Sequence, residues 1–347
     1  MTTLHTTVAL GLGACLMAMV PSATAHAAGT CQGRPATIEA SSGDVLGTPG
    51  NDVIVVTGTV RRVDAGDGDD LVCLDGTIAF KSDWTISVNA GPGADSVDAS
   101  KAGATVGARL PEGEDSFIGS AFDDYVEVGT TGALLGAPGD PGPFSVTTGA
   151  GKDSLLIEVG AVVVADLGGS SDAVRVRNAE GGAPHHLDLG AGQDYADFQD
   201  EYDEPGVAGE TSLVVDLRRD TAQWHGVTNV LVGAENIGGV ARRIRVRGDE
   251  GPNRFLSFGC DVRFRGGPGD DLLTMRTTYA RDTQPFECRG GEVRKAYGNE
   301  GDDTLRGGLR ESHDVLIGGP GRDEAYGGPA GHDVCIAEIV VGKGCAH

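Results

Sequence analysis

The chain has 347 residues, with 57 glycines, 15 prolines and a formal net charge of −24. That much glycine excludes a helical bundle, because each interior Gly costs up to about 1 kcal/mol relative to Ala. The negative charge repels phosphate and argues against nucleic acid as a partner. The acids are 34 Asp against 17 Glu, and a surplus of the shorter carboxylate suits turns and hard-cation sites better than helical surfaces.

In chain order, residues 1–27 read as a secretory signal peptide. An apolar stretch from Val8 to Val20 stops at Pro21, and the small residues up to Ala27 offer an A-x-A cleavage site. Thirteen apolar residues are too few to anchor a chain across a bilayer. No later stretch approaches that length, so no membrane span is expected. Leu12-Gly13-Ala14-Cys15 leaves a lipoprotein reading open. Export gives meaning to the six remaining cysteines, which allow 15 pairings. Their placement favours local pairs, Cys31–Cys73, Cys260–Cys288 and Cys335–Cys345.

Residues 28–204 carry a degenerate nine-residue unit, G-G-x-G-x-D, spacer, large apolar residue, spacer. Copies stand at 47–55, 65–73, 90–98, 148–156 and 189–197. Gly136–Pro143 reads as an inserted loop, and Asp197–Pro205 as a solvated acidic loop. Residues 205–247 lose the glycine pattern but alternate as strands, for example Leu213–Leu217, and form an irregular β connector. Residues 248–347 resume the unit at 248–256, 266–274, 298–306 and 318–326. Two residues after each acid stands an apolar residue: Ile54, Val72, Val97, Phe117, Val126, Leu155, Val174, Ala196, Phe255, Leu273, Leu305, Leu316, Ala325 and Cys335. The unit therefore predicts a tight glycine turn, an Asp beside it, and a short strand whose first inward residue is apolar. No single nonapeptide can bury that residue, so neighbouring units must stack.

This unit, with GTPGNDVIV at 47–55 and the E-N-x-x-G stretch Glu235-Asn236-Ile237-Gly238-Gly239, resembles the hemolysin-type, or RTX, calcium-binding repeat, in a secreted actinobacterial-like branch. The resemblance implies an all-β fold, a parallel β-roll or right-handed β-helix solenoid. It implies two nonapeptides per coil and Ca²⁺ as the cofactor, held between same-side turns about 18 residues apart. The acid spacings fit: Asp52 to Asp70 and Asn253 to Asp271 are 18, Asp153 to Asp172 is 19, Asp303 to Asp323 is 20 and Asp314 to Asp333 is 19. The expected metal ligands are these ten side chains. With Asp303 and Asp323 go the carbonyls of Gly298, Glu300, Gly301, Gly318, Pro320 and Gly321, and Gly269 accompanies Asp271. Asp314 and Asp333 are expected to form a second site on the opposite side, and Asp302 and Arg322 to point outward. Residues 43–200 are expected to carry one marked turn per coil on a single side.

No nucleophile elbow, zinc helix or phosphate loop is present. His185-His186 beside Asp188 reads as a surface strand pair, and Arg242–Arg247 is the one basic run, balancing nearby acids. The expected function is a secreted, non-enzymatic protein whose folding is coupled to calcium. A cell-surface adhesin or matrix protein, with an extracellular polymer as partner, is the second reading. A polysaccharide-active β-helix enzyme is the third.

Overall fold

A computed structural model describes residues 29–77, 85–129, 143–158, 161–177, 184–199, 211–276, 288, 293–308, 313–328, 332–342 and 344–346. The expected leader at 1–27, the expected Gly136–Pro143 loop apart from Pro143, and most of the expected 197–205 loop lie outside these residues. Among the described residues there is no α-helix. The one helical turn is the three-residue 3₁₀ turn Leu217–Arg219, and no helix is long and apolar enough to cross a membrane.

The protein is all-β, and its strands are joined into a 29-stranded, mostly parallel sheet system. Alternate strands pair, so the chain builds two stacks. In the first, Leu71–Thr77 pairs with Ser96–Asp98, which pairs with Ser116–Ile118 and then Pro143–Thr147. In the second, Val106–Leu110 pairs with Tyr125–Val128, then Ser154–Ile157, then Ala173–Arg177. Both stacks continue through residues 211–247. Tyr195–Gln199 pairs in parallel with Asn236–Val240. The first stack takes in an antiparallel insertion, Ser212–Asp216 with Thr221–Trp224 and Val227–Val232, before parallel pairing resumes at Arg243–Arg247.

Alternation along each strand sends one set of side chains between the stacks. Thirteen of the fourteen apolar residues that follow the acids are at most 1% exposed. Cys335 alone is half-buried, packed against the core edge. The main core cluster is fed by both stacks, and a small second cluster lies under the N-terminal hairpin. Phe264 of the first stack meets Phe255 of the second edge-on, centroids 5.6 Å apart, and Trp224 of the insertion packs on Phe198. The turns stack as closely as the strands. Gly113 has φ of 121°, and a Cβ there would lie 1.7 Å from the carbonyl oxygen of Gly93. At Gly113 a side chain would collide with the carbonyl of the preceding turn, so glycine is required there. Ser170, which stands where other units have Gly, adopts φ of 128°.

The three disulfides are Cys31–Cys73, Cys260–Cys288 and Cys335–Cys345, with Cα separations of 5.5, 5.4 and 5.4 Å. The first ties the N-terminal hairpin over Val53, Val55 and Leu71. The last ties Asp333–Ile336 to its stacking neighbour Cys345–Ala346.

Candidate metal centre

Each acid of the repeat stands immediately before its strand or, at Asp314 and Asp333, as its first residue. The acid's own backbone N–H donates to the carboxylate of the acid one step further along the same stack. In the first stack Asp52 donates to Asp70, Asp70 to Asp95 and Asp95 to Asp115, each at 2.8 Å. In the second stack the series runs Asp124 to Asp153, Asp153 to Asp172 and Asp172 to Asp194, each at 2.7 Å. It continues Asn253 to Asp271, Asp271 to Asp303 and Asp303 to Asp323 at 2.8–2.9 Å. All these acids are at most 5% exposed.

The marked turn therefore changes sides. Residues 52–115 mark the first stack and residues 124–194 the second. Nine residues, half a step, separate Asp115 from Asp124, so the expectation of one side throughout 43–200 is corrected. Two glutamates also serve, unforeseen from a pattern that sought Asp. Asp194 donates to Glu235 across the antiparallel insertion, and Asp323 donates to Glu338.

The second carboxylate oxygen sorts the expected ligands. Oδ2 of Asp70, Asp95 and Asp115, and of Asp153, Asp172, Asp194, Asp271, Asp303 and Asp323, is buried and has no hydrogen-bond partner. Other positions are fully supplied by the protein. Asp52 accepts from the Thr48 N–H and hydroxyl and from the Thr37 hydroxyl. Asn253 accepts from the Asp249 N–H and donates its amide to Asp249 and the Glu235 carbonyl. Asp333 accepts the Gly328 N–H as well as that of Asp314. Asp314 accepts the Gly308 N–H and Nε of Arg294, a buried ion pair at 2.8 Å whose side chains are 0–1% exposed. The two C-terminal pairs thus differ. Asp303 and Asp323 face each other with no cation, whereas Asp314 has a guanidinium beside it.

Thr304 and Glu324 are register partners, so Asp303 and Asp323 do lie on one side. Val315 and Val334 are partners too, so Asp314 and Asp333 lie on the other side. Several expected carbonyl ligands already accept hydrogen bonds along the stack. Glu300 accepts from the Gly269 N–H, Pro320 from Gly301, Gly318 from Asn299, and Gly298 from the Asn299 amide. Gly321, with φ of 152°, packs on the Gly301 carbonyl. Among the described residues, no three His, Cys, Asp or Glu side chains are grouped to hold a metal ion. An ion here would need backbone carbonyls beside the carboxylates.

Electrostatics follow the pairing. Burial, and after it the neighbouring acids, raise Asp95, Asp115 and Asp271 to about 7 and Asp70, Asp172 and Asp303 to about 6. Asp52 moves the other way: burial pushes it up, but the Thr48 and Thr37 hydrogen bonds outweigh that and lower it. His185, expected at the surface, is 3% exposed and accepts the Val163 N–H at Nδ1. Burial lowers it to about 4.

A second, outer ladder escaped the sequence reading. The residue before each inner acid is exposed, and where it is Asp its Oδ1 accepts the N–H of the following step. Ala94 donates to Asp69, Lys152 to Asp123, Asp302 to Asp270 and Arg322 to Asp302, at 2.8–3.0 Å. Asp302 and Arg322 are exposed as expected, yet both take part in this stitching. The signal was the Asp-Asp dipeptide at 69–70, 123–124, 270–271 and 302–303. Its inner carboxylate bonds the preceding turn and its outer carboxylate the following one.

No protein-family model matches the chain, and no curated protein matches it.

Proposed function

We propose that this is a secreted, non-enzymatic calcium-binding protein of the hemolysin-type (RTX) repeat class. Its two stacks are wound as a β-roll or right-handed β-helix solenoid, and its folding is coupled to the ion. The observation that carries the reading is the row of buried Oδ2 atoms without a hydrogen-bond donor, among them those of Asp271, Asp303 and Asp323. A row of carboxylates that keep their charge in such a place needs positive charge and oxygen-seeking coordination. Calcium supplies both, since it takes 6–8 oxygen ligands. Asp271, Asp303 and Asp323 would hold it, with the carbonyls of Gly269 and Gly301 alongside. The pairing of every second strand in parallel supports the solenoid. The leader at 1–27 and the three disulfides support export. An ion that binds only the folded chain stabilises it by mass action, and it relieves the repulsion of a chain carrying −24.

The test is a calcium titration of the full mature chain followed by circular dichroism, with magnesium as control. Saturable gain of strand signal or of thermal stability at sub-millimolar calcium, absent with magnesium, is the expected result. Identical spectra and protease patterns in EDTA and in millimolar calcium would overturn the reading.

A further inference from the structure

The basic run at 242–247 does only half of what was expected of it. Arg243, Arg245 and Arg263 all reach the carboxylate of Asp261, at 3.8, 2.7 and 3.4 Å. Among the described residues Arg247, two residues further along the same exposed face, makes no ion pair, and neither does its exposed register partner Arg265. Arg218, on the 3₁₀ turn of the antiparallel insertion, is the third such cation. All three line a cleft of about 240 Å³, together with Gly267, Pro268, Asn299 and Glu300. Net charge in the lining is positive, three guanidiniums against the one carboxylate of Glu300. Asp216, the register partner of Arg247, pairs with Arg219, so even with Asp216 counted beside Glu300 the guanidiniums at this concavity outnumber the carboxylates.

The surroundings extend the site along the stack. Arg245, Arg263 and Lys295 are register partners on three successive strands, and Arg247, Arg265 and Tyr297 form the adjacent row. Successive strands are about 4.8 Å apart, comparable with the length of one sugar residue. A guanidinium presents a planar fork that matches a carboxylate in two-point geometry. Tyr297, half-buried beside Arg265, adds an aromatic residue to the same row.

We infer that this cleft is a binding site for an acidic polysaccharide of the uronate class. The glycan lies across the strands along the stack, with one carboxylate held by Arg218, Arg247 and Arg265. The proposal differs from the calcium reading in its binding groups: Arg218, Arg247 and Arg265 are exposed and none is a repeat acid, while the cleft shares the turn residues Gly267, Pro268, Asn299 and Glu300 with the repeat.

The experiment is calorimetric titration of the full mature chain with trigalacturonate at fixed ionic strength, with and without millimolar calcium. Inorganic sulfate is the free-oxyanion arm. Binding should weaken at least tenfold in Arg247→Gln/Arg265→Gln, and severalfold in Arg218→Gln, which lies on a different element. Arg219→Gln should bind like the wild type, since Arg219 is next to Arg218 but pairs with Asp216. Thermal melting of each variant checks its folding. No binding by the wild type would overturn the inference. So would equal loss in Arg219→Gln, which would mean a diffuse field, or equal competition by sulfate, which would mean a site for any oxyanion. Loss of the calcium response with glycan binding intact would remove the calcium reading and leave this one.

Discussion

The backbone N–H of Asp303 donates to Oδ1 of Asp323 at 2.9 Å, across 20 residues of sequence. The same carboxylate keeps Oδ2 buried and unpartnered. One oxygen is structural and the other is available, so amide and alanine replacements separate the two roles. Asp323→Asn keeps the acceptor and removes the charge. In EDTA near pH 8 its unfolding free energy should equal or exceed that of the wild type, while the calcium-dependent increment shrinks. Asp323→Ala strands the Asp303 N–H and should cost about 1–3 kcal/mol with or without calcium. Urea unfolding in both conditions measures this, and an Asn variant as costly as Ala in EDTA would refute the structural role of Oδ1.

The raised inner acids set a pH dependence for the metal-free chain. Their folded pKa values, about 6 for Asp303 and about 7 for Asp271, exceed the ordinary carboxylate value of 3.8. The folded state therefore binds more protons than the unfolded state between pH 4 and 7, and stability falls as pH rises through that window. It levels off above about pH 7. His185 opposes this weakly, since its value near 4 means stability is lost as pH falls from 6.5 toward 4. Melting temperatures in EDTA should be higher at pH 5 than at pH 8. Millimolar calcium should raise the pH 8 value most. A metal-free melting temperature that rises from pH 5 to pH 8 would contradict the ladder's electrostatics.

The Arg294–Asp314 pair predicts a calcium-independent effect in the opposite row. Removing one partner of a buried ion pair typically costs 3–5 kcal/mol, roughly, because the other charge stays buried. Asp314→Ala should therefore lose about that much equally in EDTA and in calcium. Arg294→Met with Asp314→Leu should lose less. Chemical denaturation of the three proteins checks the order, and a calcium-dependent loss in Asp314→Ala would place the ion in this row as well.

Gly321 tests the stacking of the turns. Its φ is 152°, and a Cβ would fall 2.0 Å from the Gly301 carbonyl. Gly321→Ala should cost about 1–3 kcal/mol for the backbone alone and should expose the C-terminal block first in limited proteolysis. A neutral outcome would mean that the turns can separate freely.

The cysteines give the simplest measurement. Intact mass before and after reduction, with alkylation, should show no free thiol in the mature chain. Cleaving Cys31–Cys73 by Cys73→Ser should cost about 2–4 kcal/mol, because it also frees the hairpin that covers Val53, Val55 and Leu71. Alkylation of six thiols without reduction would rule the bridges out.

Much of this was legible in the sequence because the unit is local. A glycine turn, an acid and an inward apolar residue lie within nine positions, and the burial of Leu273, Leu305 and Leu316 follows from strand alternation alone. The cysteine pairs were legible for a related reason, since neighbours in sequence are neighbours in a stack. What only the tertiary structure decided depends on register between strands separated by variable insertions. Residue spacing does not show that Asp115 and Asp124 mark opposite sides, or that Glu235 takes up the ladder 41 residues after Asp194. Nor does it show that Arg294 stands against Asp314 while Asp303 and Asp323 have no such partner. Carboxylates identical in motif differ in what reaches their second oxygen, and that is set by the neighbouring turn. In the same way Arg218, Arg247 and Arg265 meet only because an antiparallel insertion brings its 3₁₀ turn beside the first stack.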